Sequence, residues 1–452
     1  MNLNRSKFWT AALLLSLTVF NACKENAPVD PEPIVKGQEI LEGQISTTKT
    51  LSADKIYLLK GYVRVMAGGK LIIPAGTIIK GEKNSKAALI VEIDGDIEAN
   101  GTAEKPIIFT SDQPAGSRNI GDWSGVVIAG KSTVNTAGGT GQYEGGVLGA
   151  GVAAYGGTVP NDDSGDFTYV RIEFAGIAVE KDKEINGLTL CGVGSGTTIH
   201  HVQVSYGGDD SFEFFGGTVN ATHLIAYRGT DDDFDFDQGY SGKLQYGISI
   251  KDPNVADVAG TSRGIELENK GTVTGSVFSK PTLSNFTFIG PGTSAIAAHG
   301  GGIHLAANSR MVLGNSIIVN HKGNAVEFSA EFPAAELLAG RSVVSDNLVF
   351  GNTANYGLNA SVTSFANVAA LGTFMESKGN TAVASADAAG FNSISLSSPI
   401  LTLKSTSPAN GKAKYEGDLA TGFTKDTFVG AMGMTNWSTG WANWDPKATE
   451  YK

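Results

Sequence analysis

The stretch from Ile199 to Tyr240 is nearly two copies of one short unit. Phe212-Glu213-Phe214 returns as Phe234-Asp235-Phe236, and Asp209-Asp210 returns as Asp231-Asp232, each after 22 positions. His201 to Tyr206 returns, slightly offset, as His223 to Tyr227. A repeat this short, alternating strand-forming runs with Gly/Asp turns, predicts a coil winding through stacked sheets. In each copy the two phenylalanines point one way and the acid between them the other, because successive strand side chains alternate. With the apolar face inward, Glu213 and Asp235 are expected outside, one rung apart.

Looser copies follow downstream: Ile265-Glu266-Leu267, Ile303-His304-Leu305 and Val326-Glu327-Phe328. As successive rungs they predict one outward line, Glu213, Asp235, Glu266, His304 and Glu327, with neighbours about 4.8 Å apart. Two carboxylates at that spacing repel by roughly 1 to 4 kcal/mol, depending on how much water screens them. Such a line needs an offset: a metal ion, a Lys or Arg neighbour, a protonated member, or open solvent.

The chain of 452 residues can bury a large core. Its 59 glycines and only 17% charged residues suit a turn-dense all-β protein. A net charge of −11 argues against nucleic acid or an anionic membrane surface as the main partner and leaves cations, neutral glycans and proteins open. Arg5 and Lys7 precede an apolar run, Phe8 to Phe20, too short to span a bilayer. Asn21-Ala22-Cys23 then resembles a bacterial lipoprotein cleavage site. On that reading residues 1–22 are a signal peptide, Cys23 carries the lipid, and 23–50 are a polar tether to the outer membrane, at the cell surface. An ordinary cleaved signal peptide and an N-terminal anchor are the alternatives. Cys191 is then the one cysteine left, and in the apolar run Leu188–Cys191 it reads as a small buried hydrophobe, not a nucleophile. With no CxxC or HExxH motif, a thiolate zinc site is not expected.

Strands are expected from Leu51 onward as short β-branched runs closed by Gly, Pro or Asn. The segments LIIPAGTIIKG, AALIVEIDGDIEANGTAEKPIIFTS, GDWSGVVIAG and YVRIEFAG, with the repeat itself and the closing FVGAMGMTNWSTGWANWDP, resemble bacterial right-handed parallel β-helix proteins of the pectin-lyase-like group. The resemblance covers most of the mature chain and extends to a group of Gram-negative cell-envelope lipoproteins. It implies a single β-helix over 51–427 and speaks to fold more than to activity. Residues 131–166, rich in glycine and holding Tyr143 and Tyr155, are expected to run as a long excursion over one face. Asn285, Asn315 and Asn347 each precede an apolar strand and predict an asparagine stack along the axis. Phe332–Gly340 and Val368–Ser377 read as short helical insertions. Residues 428–452, with Trp437, Trp441 and Trp444, are expected to cap the C-terminal end, with a sugar-stacking platform as the alternative.

Three functions remain open. The first is ligand binding without catalysis: Asp209, Asp210, Glu213, Asp235, Glu266, His304 and Glu327 would hold a glycan or other nutrient and serve a neighbouring outer-membrane transporter. Asp231, Asp232, Asp233 and Asp237 would supply oxygens to a calcium ion, although Asp also serves turns that need no metal. The second is a polysaccharide lyase or glycoside hydrolase, as the resemblance implies, with Glu213, Asp235, Glu266 and His304 as acid–base candidates. A lyase would take its base from Arg228, Lys251 or Arg263. The third is an adhesin or scaffold whose flat sheets contact another protein.

Overall fold

The computed structural model describes residues 37–146, 148–180, 183–269 and 277–452; Cys23 and its flanking segment lie outside them. β-Branched and leucine-rich runs form short strands, and those of the large sheet pair in parallel with the strand one coil away. Phe212 to Phe215 lies in register with Phe234 to Asp237, which lies in register with Ile265 to Leu267. Ile303–Leu305 and Asn324–Phe328 continue the same ladder. The result is the expected single right-handed parallel β-helix.

In-register stacking fills the interior with like on like. Phe212 stacks on Phe234 at 5.2 Å between ring centres, and Phe214 on Phe236 at 4.9 Å. Leu188, Ile265, Ile303 and Val326 extend the same core above and below. Along this ladder each inward position meets an apolar partner, so the core is packed along the axis.

One corner of each coil needs a left-handed residue. Tyr169, His201, His223, Tyr246, Asn285, Asn315 and Asp346 all occupy it, with φ between 49° and 62°. Asn, Asp and His are the non-glycine residues that enter this region most readily, whereas a bulky Tyr is strained there. The aromatic members form one stack that offsets the strain at the tyrosines: Tyr169 on His201 at 4.2 Å, His201 on His223 at 4.1 Å, and His223 on Tyr246 at 4.7 Å. The expected asparagine stack is therefore corrected by one residue. Asn285 and Asn315 share the corner with Asp346, while Asn347 follows it. Asn347 Oδ1 accepts from Ser316 N at 2.8 Å, and Asn380 Oδ1 accepts from Asn347 N at 3.2 Å.

Both ends differ from the expected boundaries. Gly37–Ile45 already pairs with Lys55–Val65, so coil structure starts inside the segment expected to be tether. At the other end, helix Val368–Ser377 is capped by Asn367, whose side chain accepts from Ala370 N at 3.0 Å. Its Leu371 and Met375 enter the core with Tyr356 and Phe365. This helix, not the tail, closes the last rung. The tail runs back along the outside. Trp441 meets Tyr169 and His201 at 6.0 and 5.5 Å between ring centres and belongs to one apolar cluster with Ile225, Ile248 and Ile317, Arg118 donates to Pro446 O at 2.8 Å and Thr449 O at 2.7 Å, and Tyr451 sits with Ile56, Ile78 and Ile108 of the early coils. The expected cap over 428–452 is thus a strap across the sheets.

Two outcomes follow from this packing. Met375→Ala should cost about 2 to 5 kcal/mol in urea denaturation, whereas Met434→Ala, on a side chain 73% exposed, should stay within about 0.5 kcal/mol. The second concerns His321, which burial and then the Lys251 charge push down to about 3. The folded chain keeps this ring neutral, while the unfolded chain protonates it below about pH 6.5. Its stabilising effect is full above that pH and falls as the pH drops toward about 3. His321→Gln should therefore lose less stability than the parent between pH 7 and pH 5, by up to about 2 kcal/mol; parallel pH curves would contradict this.

Candidate functional site

The outward side chains of one sheet form the predicted line. Glu213 pairs with Asp235, Asp235 with Glu266, Glu266 with His304, and His304 with Glu327. The flanking apolar residues of each strand face the core, so alternation places these five on the outer face. Above Glu213 the line continues as Thr189, Val127 and Ile90. The upper part is apolar and covered. The glycine-rich excursion folds back on itself, pairing Gly141–Gln142 with Ala154–Tyr155. Its Tyr143, Val152 and Tyr155 pack over Ile90, Val127, Cys191 and Phe215. Tyr155 stacks on Phe215 at 6.2 Å and donates to Gln238 Oε1 at 2.6 Å. Cys191 is buried and free in this layer, as its apolar neighbours implied, and burial pushes its thiol well up.

The acids below the cover are outward but not solvated. Glu213 is 5% exposed and Asp235 8%, so open solvent, one of the four offsets the line could have, does not supply it here. One carboxylate oxygen from each of Asp210, Glu213 and Asp235 lies within 4.8 Å of the others, and the same holds for Asp209, Asp210 and Asp231. Asp210 belongs to both groups. Burial, then the neighbouring charges, raises the carboxyls of Asp209, Asp210 and Glu213 well above the usual range. Asp231 is pushed up to about 6, by burial against the opposing pull of Lys251. At these separations like charges cost about 1 to 4 kcal/mol per pair. The cluster therefore favours either protons or a cation.

Residues 43–394 match the family described as the pectate-lyase-like β-helix domain. The chain belongs to that family. No curated protein and no solved structure matches it. In this pectate-lyase-like β-helix, the adjacent aspartates of the second repeat part company. Asp231 joins the outer cluster. Asp232 serves the turn instead: Asn186 Oδ1 accepts from Asp210 N at 3.2 Å, Asp210 Oδ1 accepts from Asp232 N at 2.8 Å, and Asp232 Oδ1 accepts from Arg263 N. Asp233 turns into the interior. It pairs with Lys251 at 3.0 Å and accepts from Ser249. Asp237 lies beside Phe215 in the next outward row and accepts from Gln238 N at 2.6 Å. Of the four aspartates expected to bind metal, only Asp231 reaches either group of converging acids.

The lower part of the line is half-buried and carries mixed charge. Arg263 Nη1 and His304 Nδ1 both meet Glu266 Oε1, at 2.9 and 3.0 Å. Asn324 Nδ2 donates to Glu327 Oε2 at 3.3 Å. Among the candidate bases, Lys251 is buried against Asp233. Arg228 belongs to another corner, where it pairs with Asp252 at 2.6 Å and donates to the Tyr206 hydroxyl at 2.6 Å. Only Arg263 stands on this face. Asn186, which also donates to Glu213, escaped sequence reasoning because it precedes the repeat and shares none of its letters.

The raised carboxyls have a measurable sign. A group whose folded pKa lies above its unfolded value costs stability as the pH rises through that range. In chelator-treated protein, Glu213→Gln should raise stability at pH 8 by about 1 kcal/mol or more and give little gain at pH 4. A loss at pH 8 would show that the ionised carboxylate is needed for folding.

Proposed function

We propose that this outward face binds an oxygen-rich ligand, a glycan or similar nutrient, together with a calcium ion. The observation that carries the reading is the pair of carboxylate groups sharing Asp210. Their donors are all oxygen, the ligand type of hard cations. Asp209, Asp210, Glu213, Asp231 and Asp235 would hold the ion, and its charge would offset their repulsion and attract ligand oxygens. Arg263, Glu266, His304 and Glu327, less buried and further along the line, would contact the ligand itself. A lipid on Cys23 and hand-over to a neighbouring uptake protein in the outer membrane complete the proposal. Support for that part lies in the N-terminal sequence alone, and Cys23→Ser should release the protein from the membrane.

A second reading, acid–base chemistry on the bound glycan, is favoured by one contact. Glu266 holds His304 through Nδ1, which orients Nε2 as a proton acceptor or donor. A lyase on this face would leave an unsaturated uronate, visible by its ultraviolet absorbance, and His304→Ala would abolish it.

The test is calcium titration by calorimetry, with melting curves alongside. Binding should be saturable and should raise the melting temperature, with about 2.7 kcal/mol of added stability at a hundredfold excess over Kd. The gain should be larger at pH 8 than at pH 5, because protons compete for carboxyls such as Asp231, which titrates at about 6. Asp231→Asn/Asp235→Asn should lose it. No saturable binding at either pH would overturn the proposal.

A further inference from the structure

The second site lies away from the acidic face, where the tail crosses the left-handed corner. A cleft of about 380 Å³ opens there between His223 and Tyr246 of the corner stack and residues 424–437 of the strap. That volume is within the range of small-molecule sites, about 300 to 1,000 Å³. Its walls are aromatic: Tyr246 and Phe428, inclined at 32°, on one side, and Trp437, nearly perpendicular to His223, on the other. Met434 stands at the mouth, 73% exposed.

The polar inventory of this cleft is short, and it selects the ligand. Trp437 Nε1 is committed to Ala431 O at 2.8 Å, and the Tyr246 hydroxyl to Asp426 Oδ2 at 2.6 Å. No amide, lysine or arginine side chain lines the cleft, so Thr424 and Thr435 supply the remaining hydroxyls. A sugar, whose hydroxyls each seek donors and acceptors, would leave most of them unpaired against rings. Burial pushes His223 down to about 4, which keeps it neutral at physiological pH. Asp426 is the one carboxyl side chain among the lining residues, and the ring faces add negative potential. An anion is repelled. What fits is positive charge carried under an apolar skin, which needs ring faces and one carboxylate but few hydrogen bonds.

We propose that the cleft formed by Tyr246, Asp426, Phe428 and Trp437 binds a small organic cation, a quaternary or methylated ammonium. The ammonium methyls lie against the rings, and Asp426, held in place by the Tyr246 hydroxyl, supplies the counter-charge. No part of this depends on calcium or on the acidic face. The strap is then a wall of a binding site as well as a cover for the sheet.

The experiment is a titration of the full chain with choline and with tetramethylammonium, read by calorimetry and by tryptophan fluorescence. The uncharged isostere of choline, with carbon in place of nitrogen, and glucose serve as comparisons. Choline should bind saturably, more than about tenfold tighter than its isostere. Asp426→Asn, which leaves Tyr246 an acceptor, should weaken binding about tenfold or more without moving the melting temperature by more than a few degrees. Met434→Lys alters an exposed side chain only, and its added charge should repel the cation by a similar factor. Equal binding of the isostere would reduce the cleft to an apolar pocket and overturn the proposal. Glucose binding in place of choline, unchanged affinity in Met434→Lys, or no saturable binding would overturn it too.

Discussion

Parallel in-register stacking is the interaction on which this molecule depends. Each residue sits over its counterpart in the next coil, about 4.8 Å away. Inside, the rule is favourable: Phe212 meets Phe234, Phe214 meets Phe236, and ring burial drives the stack. Outside, the same rule sets Glu213 over Asp235 over Glu266, an arrangement that charge repulsion alone would forbid. At the left-handed corner it brings Tyr169, His201, His223 and Tyr246 into one column. The fold thus concentrates whatever chemistry its outward letters carry, and each column needs its own offset.

Those offsets differ along one line. At the top, Ile90 and Val127 are covered by the tyrosines of the glycine-rich excursion. In the middle, the acids are crowded and buried and are set for protons or a cation. At the bottom, Arg263 and His304 converge on Glu266. The gradient from apolar to acidic to mixed charge is what makes a ligand-binding reading of this face more than an argument from fold, which by itself assigns no function.

Much of this was legible in the sequence, and the rest was hidden for definite reasons. The outward line could be read across irregular spacing because each rung keeps the form apolar–polar–apolar, and alternation then settles its face. Burial could not be read, since the cover comes from residues 131–166, far away in the chain and without strand periodicity. The run Asp231-Asp232-Asp233 invited a single role, but at a turn successive side chains diverge: one joins the cluster, one bonds the Arg263 amide, one pairs with Lys251 inside. The asparagine stack slipped by one residue because Asp346 serves the left-handed corner as well as Asn does. Tryptophans near a C-terminus suggested a cap; only the contacts of Trp441 and Tyr451 with the outer sheets reveal a strap. The cleft at Trp437 depends on the same fact and has no sequence signature of its own.

The most direct test of the central claim is diffraction from crystals grown with calcium, using the anomalous signal to locate the ion. The account predicts a peak on the outer face, ligated by carboxylate oxygens from the acids that meet at Asp210, and absent from crystals of Asp231→Asn/Asp235→Asn. Calcium-containing crystals without such a peak, in which these carboxyls contact only protein donors and one another, would contradict it and make the acidic line a structural feature held by protons and side-chain pairing.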